Sequence, residues 1–187
     1  QRRACAMTEI LTDTVKNMKL DLVYYGKDIL SQVAEDVQDI NDDLLETIDS
    51  MFRVMYKEKG IGLAGPQVDL NKRIIVIDPG DDPRHKIALI NPVILESSDS
   101  TEPYEEGCLS LPGLNADVIR PSEILLRAVN SKGKNIEIEA GGIMARVIQH
   151  EIDHLNGILF IDRIEKFVRD EMKPELKKIK KMNVKTA

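Results

Sequence analysis

With 187 residues, the chain has the length of one domain and enough material for a sizeable core. Its hydrophobic content is 42%, with no run near the 18 or more apolar residues of a membrane helix. A formal net charge of −6 argues against a general nucleic-acid binder, and two cysteines are too few for a disulfide framework, which points to a reducing compartment.

Residues 1–19 read as an N-terminal extension. Gln1 to Met7 lacks the apolar segment of a secretion signal and does not begin with methionine, consistent with a tag or the edge of a processed leader. Arg2 and Arg3 point toward an organellar transit peptide, whereas Glu9 and Asp13 weigh against one. Leu44, Leu45, Ile48, Met51, Phe52 and Met55 recur at helical spacing, with Asn41 or Asp42 as N-cap and Gly60 just past the end. The acidic run Asp39 to Asp43 resembles a calcium loop only superficially, because Leu44 replaces the turn glycine and Ser50 the bidentate glutamate. It reads as a solvated cap.

The β-branched run Ile74 to Ile77 predicts a buried strand ended by Asp78-Pro79-Gly80, and a second strand is expected near Ala88 to Ile90. Ile124 to Val129 and Asn135 to Ala140 flank Ser131-Lys132-Gly133-Lys134 as a hairpin. From Arg163 to Ala187 there are nine Lys or Arg against four Asp or Glu, with Pro174 dividing two expected helical pieces. By composition this tail is a solvated terminal helix. The expected fold is α+β, mostly antiparallel strands around a central helix that the next segments mark as metal-binding, with a C-terminal helical tail.

Three segments carry chemistry. In Gln149-His150-Glu151-Ile152-Asp153-His154, a helix places His150 and His154 one turn apart with Glu151 toward the same opening, as a divalent ion with its own base requires. The same pattern also fits two ordinary histidines of an amphipathic helix. A third ligand is needed, and Cys108, beside Gly107 in Glu106-Gly107-Cys108-Leu109-Ser110, suits it better than Cys5 in the polar N-terminal stretch. The competing reading of Cys108 is a small buried hydrophobe. Gly60-Ile61-Gly62-Leu63-Ala64-Gly65-Pro66-Gln67 is a glycine-rich turn without the Lys-Ser/Thr ending of a phosphate loop.

Taken in order, GIGLAGPQ, EGCLS and QHEIDH resemble the peptide deformylases, whose motifs have the forms GxGxAxPQ, EGCLS and HExDH. The resemblance covers roughly residues 20 to 170, with Leu22 to Leu30 similar to the family's N-terminal strand, Leu111-Pro112-Gly113 after the cysteine motif and Leu159 to Asp162 after the helix. Gly65 departs from the alanine of many members, at a variable motif position. The implied organisation is a catalytic domain at 20–164 followed by a basic helical tail at 165–187.

The activity implied is metal-dependent removal of the N-formyl group from the N-terminal methionine of new polypeptides, with release of formate. Cys108, His150 and His154 would hold one divalent ion and leave a position for water. Binding lowers the pKa of such water from 15.7 toward about 7, and Glu151 serves as the base. The resemblance assigns oxyanion donation to the Gln67 side chain and the Leu109 main-chain N–H, and pairs Glu106 with Arg120. Fe(II) is the implied physiological ion, with Zn, Ni or Co able to replace it. Ile61, Ile143 and Val147 are candidates to line a methionine pocket, with ordinary core as the alternative. Gly62 and Gly107 could pair with an extended peptide. The direction of Arg146 is not legible. Expected partners are formyl-methionyl nascent peptides and, through the basic tail, the ribosome, in a bacterial-type cytoplasm or, if a leader was processed, an organelle lumen. The competing readings are a metalloprotease of the His-Glu-x-x-His type and a catalytically silent metal-binding protein.

Overall fold

The structure is a computed structural model that describes residues 19–184. The extension with Cys5, Arg2, Arg3, Glu9 and Asp13 therefore lies outside the described residues, as do the last three residues of the chain.

Helix α1 spans Asp42–Lys57 and is capped as expected: the Asn41 side-chain oxygen accepts from the Leu44 N–H at 3.0 Å. Its apolar stripe of Ile48, Met51 and Met55 is buried. The chain reverses through Lys59, at φ 59°, and the Gly60 N–H returns to the Met55 carbonyl. The glycine motif then forms β1 (Gly62–Ala64) and a single 3-10 turn, Gly65–Val68.

A five-stranded antiparallel sheet follows from β1, β2 (Ile74–Ile77), β3 (Ile87–Ser97), β6 (Glu123–Val129) and β7 (Asn135–Gly141), in that spatial order. Strand β2 is apolar throughout because both its faces are covered. Ile74 and Val76 join the core beneath α1, while Ile75 and Ile77 join the core beneath helix α2 (Gly142–Leu155). The sheet thus lies between the two helices. Every residue of α2 from Met144 to Leu155 is buried, so this helix is central, as expected.

The hairpin of β4 (Thr101–Cys108) and β5 (Leu111–Pro121) is a separate two-stranded sheet. After Leu159 to Asp162 come α3 (Lys166–Glu171), α4 (Lys173–Lys180) and a 3-10 segment, Lys181–Val184, with Pro174 in the first turn of α4. Leu176 and Ile179 of α4 pack with Leu111, Leu114, Val118 and Phe160, so this part of the tail belongs to the core and corrects the solvated helix that its composition suggests.

Two local expectations are corrected. Leu22 to Leu30 is no strand: it is an extended stretch tied by Val23 N–H to the Gln67 carbonyl and Tyr25 N–H to the Ser110 carbonyl, both 2.9 Å. It then turns at Gly26, where φ is 98°, into a 3-10 helix at Asp28–Ser31. The strand near Ala88 runs on to Ser97, because Asn91, at φ 50°, and Pro92 sit at an irregularity of register between Ile90 and Val93 rather than at its end.

Candidate metal centre

Helix α2 delivers two imidazoles to one point. His150 and His154 have ring centroids 5.0 Å apart in an edge-to-face arrangement, the consequence of their i, i+4 spacing. Cys108, at the end of β4, meets them: its Sγ lies 3.3 Å from His154 Nε2. Ligand atoms of Cys108, His150 and His154 all fall within 4.8 Å of one another. The third histidine, His85, lies elsewhere, against Asp81 in an exposed turn.

The surroundings orient these donors. His150 Nδ1 lies 2.9 Å from Glu106 Oε2, so Nδ1 donates there and Nε2 is the nitrogen left for an ion, which would take the place of its proton. Burial opposes charge on His150, but hydrogen bonds to Cys108 and Glu106 and the charge of Glu151 outweigh it, and its pKa stands at about 10. The same anionic neighbours favour a cation in that place. Burial and the charge of His150 push His154 well below its ordinary range. Two buried polar atoms here, His154 Nδ1 and Glu151 Oε2, have no hydrogen-bond partner among the described residues. One thiol, two imidazoles and an uncommitted carboxylate fit a transition-metal ion with an adjacent base.

Glu151 is 4% exposed and its pKa is pushed up to about 7, first by burial and then by the negative charges of Glu106 and Asp153, against the lowering effect of His150 and Arg120. Gly62 has to be glycine: a Cβ there would collide with Glu151 Oε1 and Val147 Cγ1. Gln67 is buried and fixed by its Oε1, which accepts from the Ala64 N–H at 2.8 Å, so Nε2 faces Cys108 Sγ at 3.5 Å and Ser110 Oγ at 3.4 Å. Leu109 lies in the two-residue turn between β4 and β5, outside the ladder.

Behind the donors runs a buried ion-pair network. Arg120 donates from Nε and Nη2 to the two oxygens of Glu106 at 2.7 and 2.9 Å, and from Nη1 to Asp153 at 2.7 Å. Arg146 donates to Glu106 at 3.0 Å and to the carbonyls of Val118 and Glu102, and its guanidinium lies 5.6 Å from the Tyr104 ring centre. Arg146, whose direction the sequence left open, thus points onto Glu106, and Asp153 is a neighbour of the site that sequence reasoning missed. Asp153 had a signal, since it lies one turn from His150 on the same helix.

A cleft of about 570 Å³ opens onto this centre, lined by Ile61, Gly62, Gly107, Ile143 and Val147 together with Gln67, Cys108, Leu109, His150 and Glu151. Every residue that the sequence singled out for the peptide is therefore at its wall. Ile61 is at the rim, 41% exposed. Leu22, Tyr24 and Met182 also border the cleft, with no sequence signal to mark them.

Comparison with known proteins agrees with this geometry. The family model described as polypeptide deformylase matches residues 19–170. The chain is 43% identical over 172 residues to the peptide deformylase of Brachyspira hyodysenteriae, covering 89% of this chain and 92% of that protein. It is 46% identical over 160 residues to that of Hydrogenovibrio crunogenus, covering 86% and 94%. Among solved structures, a plant peptide deformylase superposes with a TM-score of 0.84 at 39% identity, over 90% of this chain and 94% of that one. The enzyme of Synechococcus elongatus, in complex with actinonin, gives 0.79 at 43% identity, over 88% and 89%.

Proposed function

Because the chain belongs to the polypeptide deformylase family, we propose that Cys108, His150 and His154 hold the ion of a metal-dependent hydrolase and that Glu151 is its base. The enzyme removes the N-formyl group from nascent peptides. The observation that carries the residue assignment is the convergence of three donors within 4.8 Å beside a buried carboxylate oxygen that has no partner among the described residues.

When bound, the ion supplies a Lewis acid that polarises the formyl oxygen and makes the attacking water more acidic. The rest falls to the chain. Glu151 takes the proton of the water as its oxygen bonds to the formyl carbon, and returns it to the amine nitrogen as the C–N bond breaks. A carboxylate held near neutrality by burial suits both steps. Gln67 Nε2 and the Leu109 N–H donate to the former carbonyl oxygen as negative charge develops there. Gly62 and Gly107 leave main-chain groups open to an extended peptide, and Ile61, Ile143 and Val147 offer the apolar surface for methionine. Glu106 and Arg120 act through His150, as a structural ion pair.

The reading is tested by formate release from formyl-Met-Ala-Ser, with metal content determined on the same sample. Release abolished by a chelator supports it; no release from folded, fully metallated protein removes it. Cys108→Ser is expected to lower metal content after dialysis and activity together, and retention of both would displace Cys108 as a ligand.

For the ion we propose Fe(II), with Zn, Ni or Co as replacements in isolated protein, since Fe(II) stands low in the affinity order and exchanges readily. Activity is then expected to decay in air through loss of Fe(II) or oxidation of Cys108. Equal activity from aerobic and anaerobic preparations would point to zinc.

We further propose a catalytic body at 20–164 and a basic element at 165–187 that docks on the ribosome. Lys177, Lys178 and Lys181 are exposed, whereas Leu176 and Ile179 are core, so charge reversal tests docking more cleanly than deletion. Reversing the three lysines is expected to weaken co-sedimentation with ribosomes at low salt, and unchanged co-sedimentation would end the proposal. No helix among the described residues is long and apolar enough to cross a membrane. We place the protein in a bacterial-type cytoplasm, with an organelle lumen as the alternative that cell fractionation would select.

A further inference from the structure

We infer that the 3-10 segment Lys181–Val184 forms the outer wall of the peptide cleft, with Met182 contacting a large apolar side chain downstream of the formyl-methionyl residue and Asn183 acting as the latch that positions it. The inference rests on the reading of the cleft as the peptide site and extends it from the methionine to the residues that follow.

The latch is built like a short piece of sheet. In the extended stretch at Val23 to Tyr25, main-chain groups point alternately to either side. On one side Val23 and Tyr25 donate to the carbonyls of Gln67 and Ser110, which joins this stretch to both halves of the catalytic centre. On the other side the Asn183 amide takes the place of a neighbouring strand. Its Oδ1 accepts from the Tyr24 N–H at 3.0 Å, and its Nδ2 lies 3.0 Å from the Tyr24 carbonyl and 3.1 Å from that of Tyr25. Gly26, at φ 98°, lies directly against the stem of Lys180, where a Cβ would collide with it. Leu176 and Ile179 anchor the preceding helix in the core. The segment is held from both ends of its approach.

Alternation also explains why this wall is apolar. Val23 is buried, while Leu22 and Tyr24, one residue to either side, border the cleft beside Met182. These residues are distinct from the surface assigned to methionine. Ile143 and Val147 belong to the core under α2, whereas Leu22 and Leu109 pack on the α1 core and Tyr24 on the core of β5 and α4. The apolar lining of the cleft is therefore drawn from three packing groups, of which the one that holds Ile143 and Val147 is separate from those of Leu22 and Tyr24. The lining also includes Glu58, Lys59 and Glu105, charges of both signs that give little selection for a charged peptide. Met182 is 37% exposed, and a flexible thioether at a rim adapts to many side-chain shapes, as a graded apolar preference across varied nascent chains requires.

The test compares formyl-Met-X-Ser and formyl-Met-Ala-X, with X as Ala, Leu or Phe, on metallated full-length protein. Wild type is expected to favour Leu and Phe over Ala at one of the two positions by about fivefold in kcat/KM, carried by KM. Met182→Ala is expected to remove most of that preference and Met182→Leu to restore it. Asn183→Ala should act in the same direction as Met182→Ala, with far-UV circular dichroism reporting the fold. A wild type without any downstream preference overturns the inference while formate release leaves the deformylase reading intact. A Met182→Ala loss equal for all peptides also overturns it, showing support of the fold alone. Absence of formate from every peptide overturns the activity reading and the inference with it.

Discussion

Glu151→Ala is expected to retain the metal content of the wild-type chain while lowering kcat by about 10²- to 10⁴-fold, the usual contribution of a positioned acid–base group. Metal retention follows because Glu151 stands apart from the three convergent donors. The loss follows because its Oε2, buried and without a partner among the described residues, is the group left to take a proton from water beside the centre. A third consequence separates this residue from a structural one. A buried carboxyl without a hydrogen-bond partner costs the fold about 1–3 kcal/mol, so the variant should melt no lower than wild type. Glu151→Gln, which keeps the shape and cannot accept the proton, should lose turnover similarly. Parallel metal analysis, melting and formate release decide the matter, and near-normal turnover in either variant would remove Glu151 as the base.

Arg120→Met is expected to destabilise the protein by about 3 kcal/mol, the lower end for breaking a buried ion pair, because other cations still face both carboxylates. Arg120 is buried and joins Glu106 to Asp153, both buried as well, so its loss takes the shared cation from both carboxylates and leaves Glu106 to Arg146 and His150 and Asp153 to Arg163. For a chain of this size that corresponds to a fall in Tm on the order of 10 °C. Because Glu106 holds His150 Nδ1, metal affinity should fall as well, by about 10- to 100-fold. Wild-type stability combined with wild-type metal affinity in this variant would show that the network does neither job.

Acid titration reads the same network. Burial alone would raise the pKa of Glu106, but hydrogen bonds from His150 and Arg120 and the charge of Arg120 bring it from 4.5 down to about 2. The folded value is thus below the unfolded one. The stabilisation is present in full above about pH 4.5 and is lost as pH falls toward 2, an amount of roughly 3 kcal/mol. Urea unfolding of wild type and Glu106→Gln at pH 7, 4.5 and 3 should show the two stabilities converging as the pH drops. Parallel curves across that range would assign the acid limb to other groups.

What was legible in the sequence was local. The i, i+4 spacing of His150 and His154 is a property of any α-helix, and the side chains of Ile143 and Val147 follow by the same geometry. The cap at Asn41, the stripe of α1, the buried run at Ile74 to Ile77 and the hairpin around Gly133 are set by short-range periodicity and turn chemistry. Cys108 could be joined to the helix by need of a third donor and choice between two thiols, whereas the glycine motif could be joined only by family resemblance, because it carries no signal of what it faces. The hairpin of β4 and β5 escaped for a related reason: most of β4 is exposed and polar, so it lacks the alternation that marks a strand with one face on a core.

Tertiary structure alone decided the rest. It brought Cys108 to His154 across 46 positions and turned Arg146 onto Glu106 across 40. It also closed Asn183 onto Tyr24 across 159 positions, and held Leu22 to Tyr25 as an extended tie between two motifs instead of a strand in the sheet. Such contacts form only after distant segments have packed their apolar faces together, and the local backbone carries no record of which polar groups will then meet. The sequence by itself determined that His150, Glu151 and His154 share one helix, with the two imidazoles one turn apart. The fold supplied the meeting of the Cys108 thiol with the two imidazoles, the charges around His150 and the segment that borders the cleft.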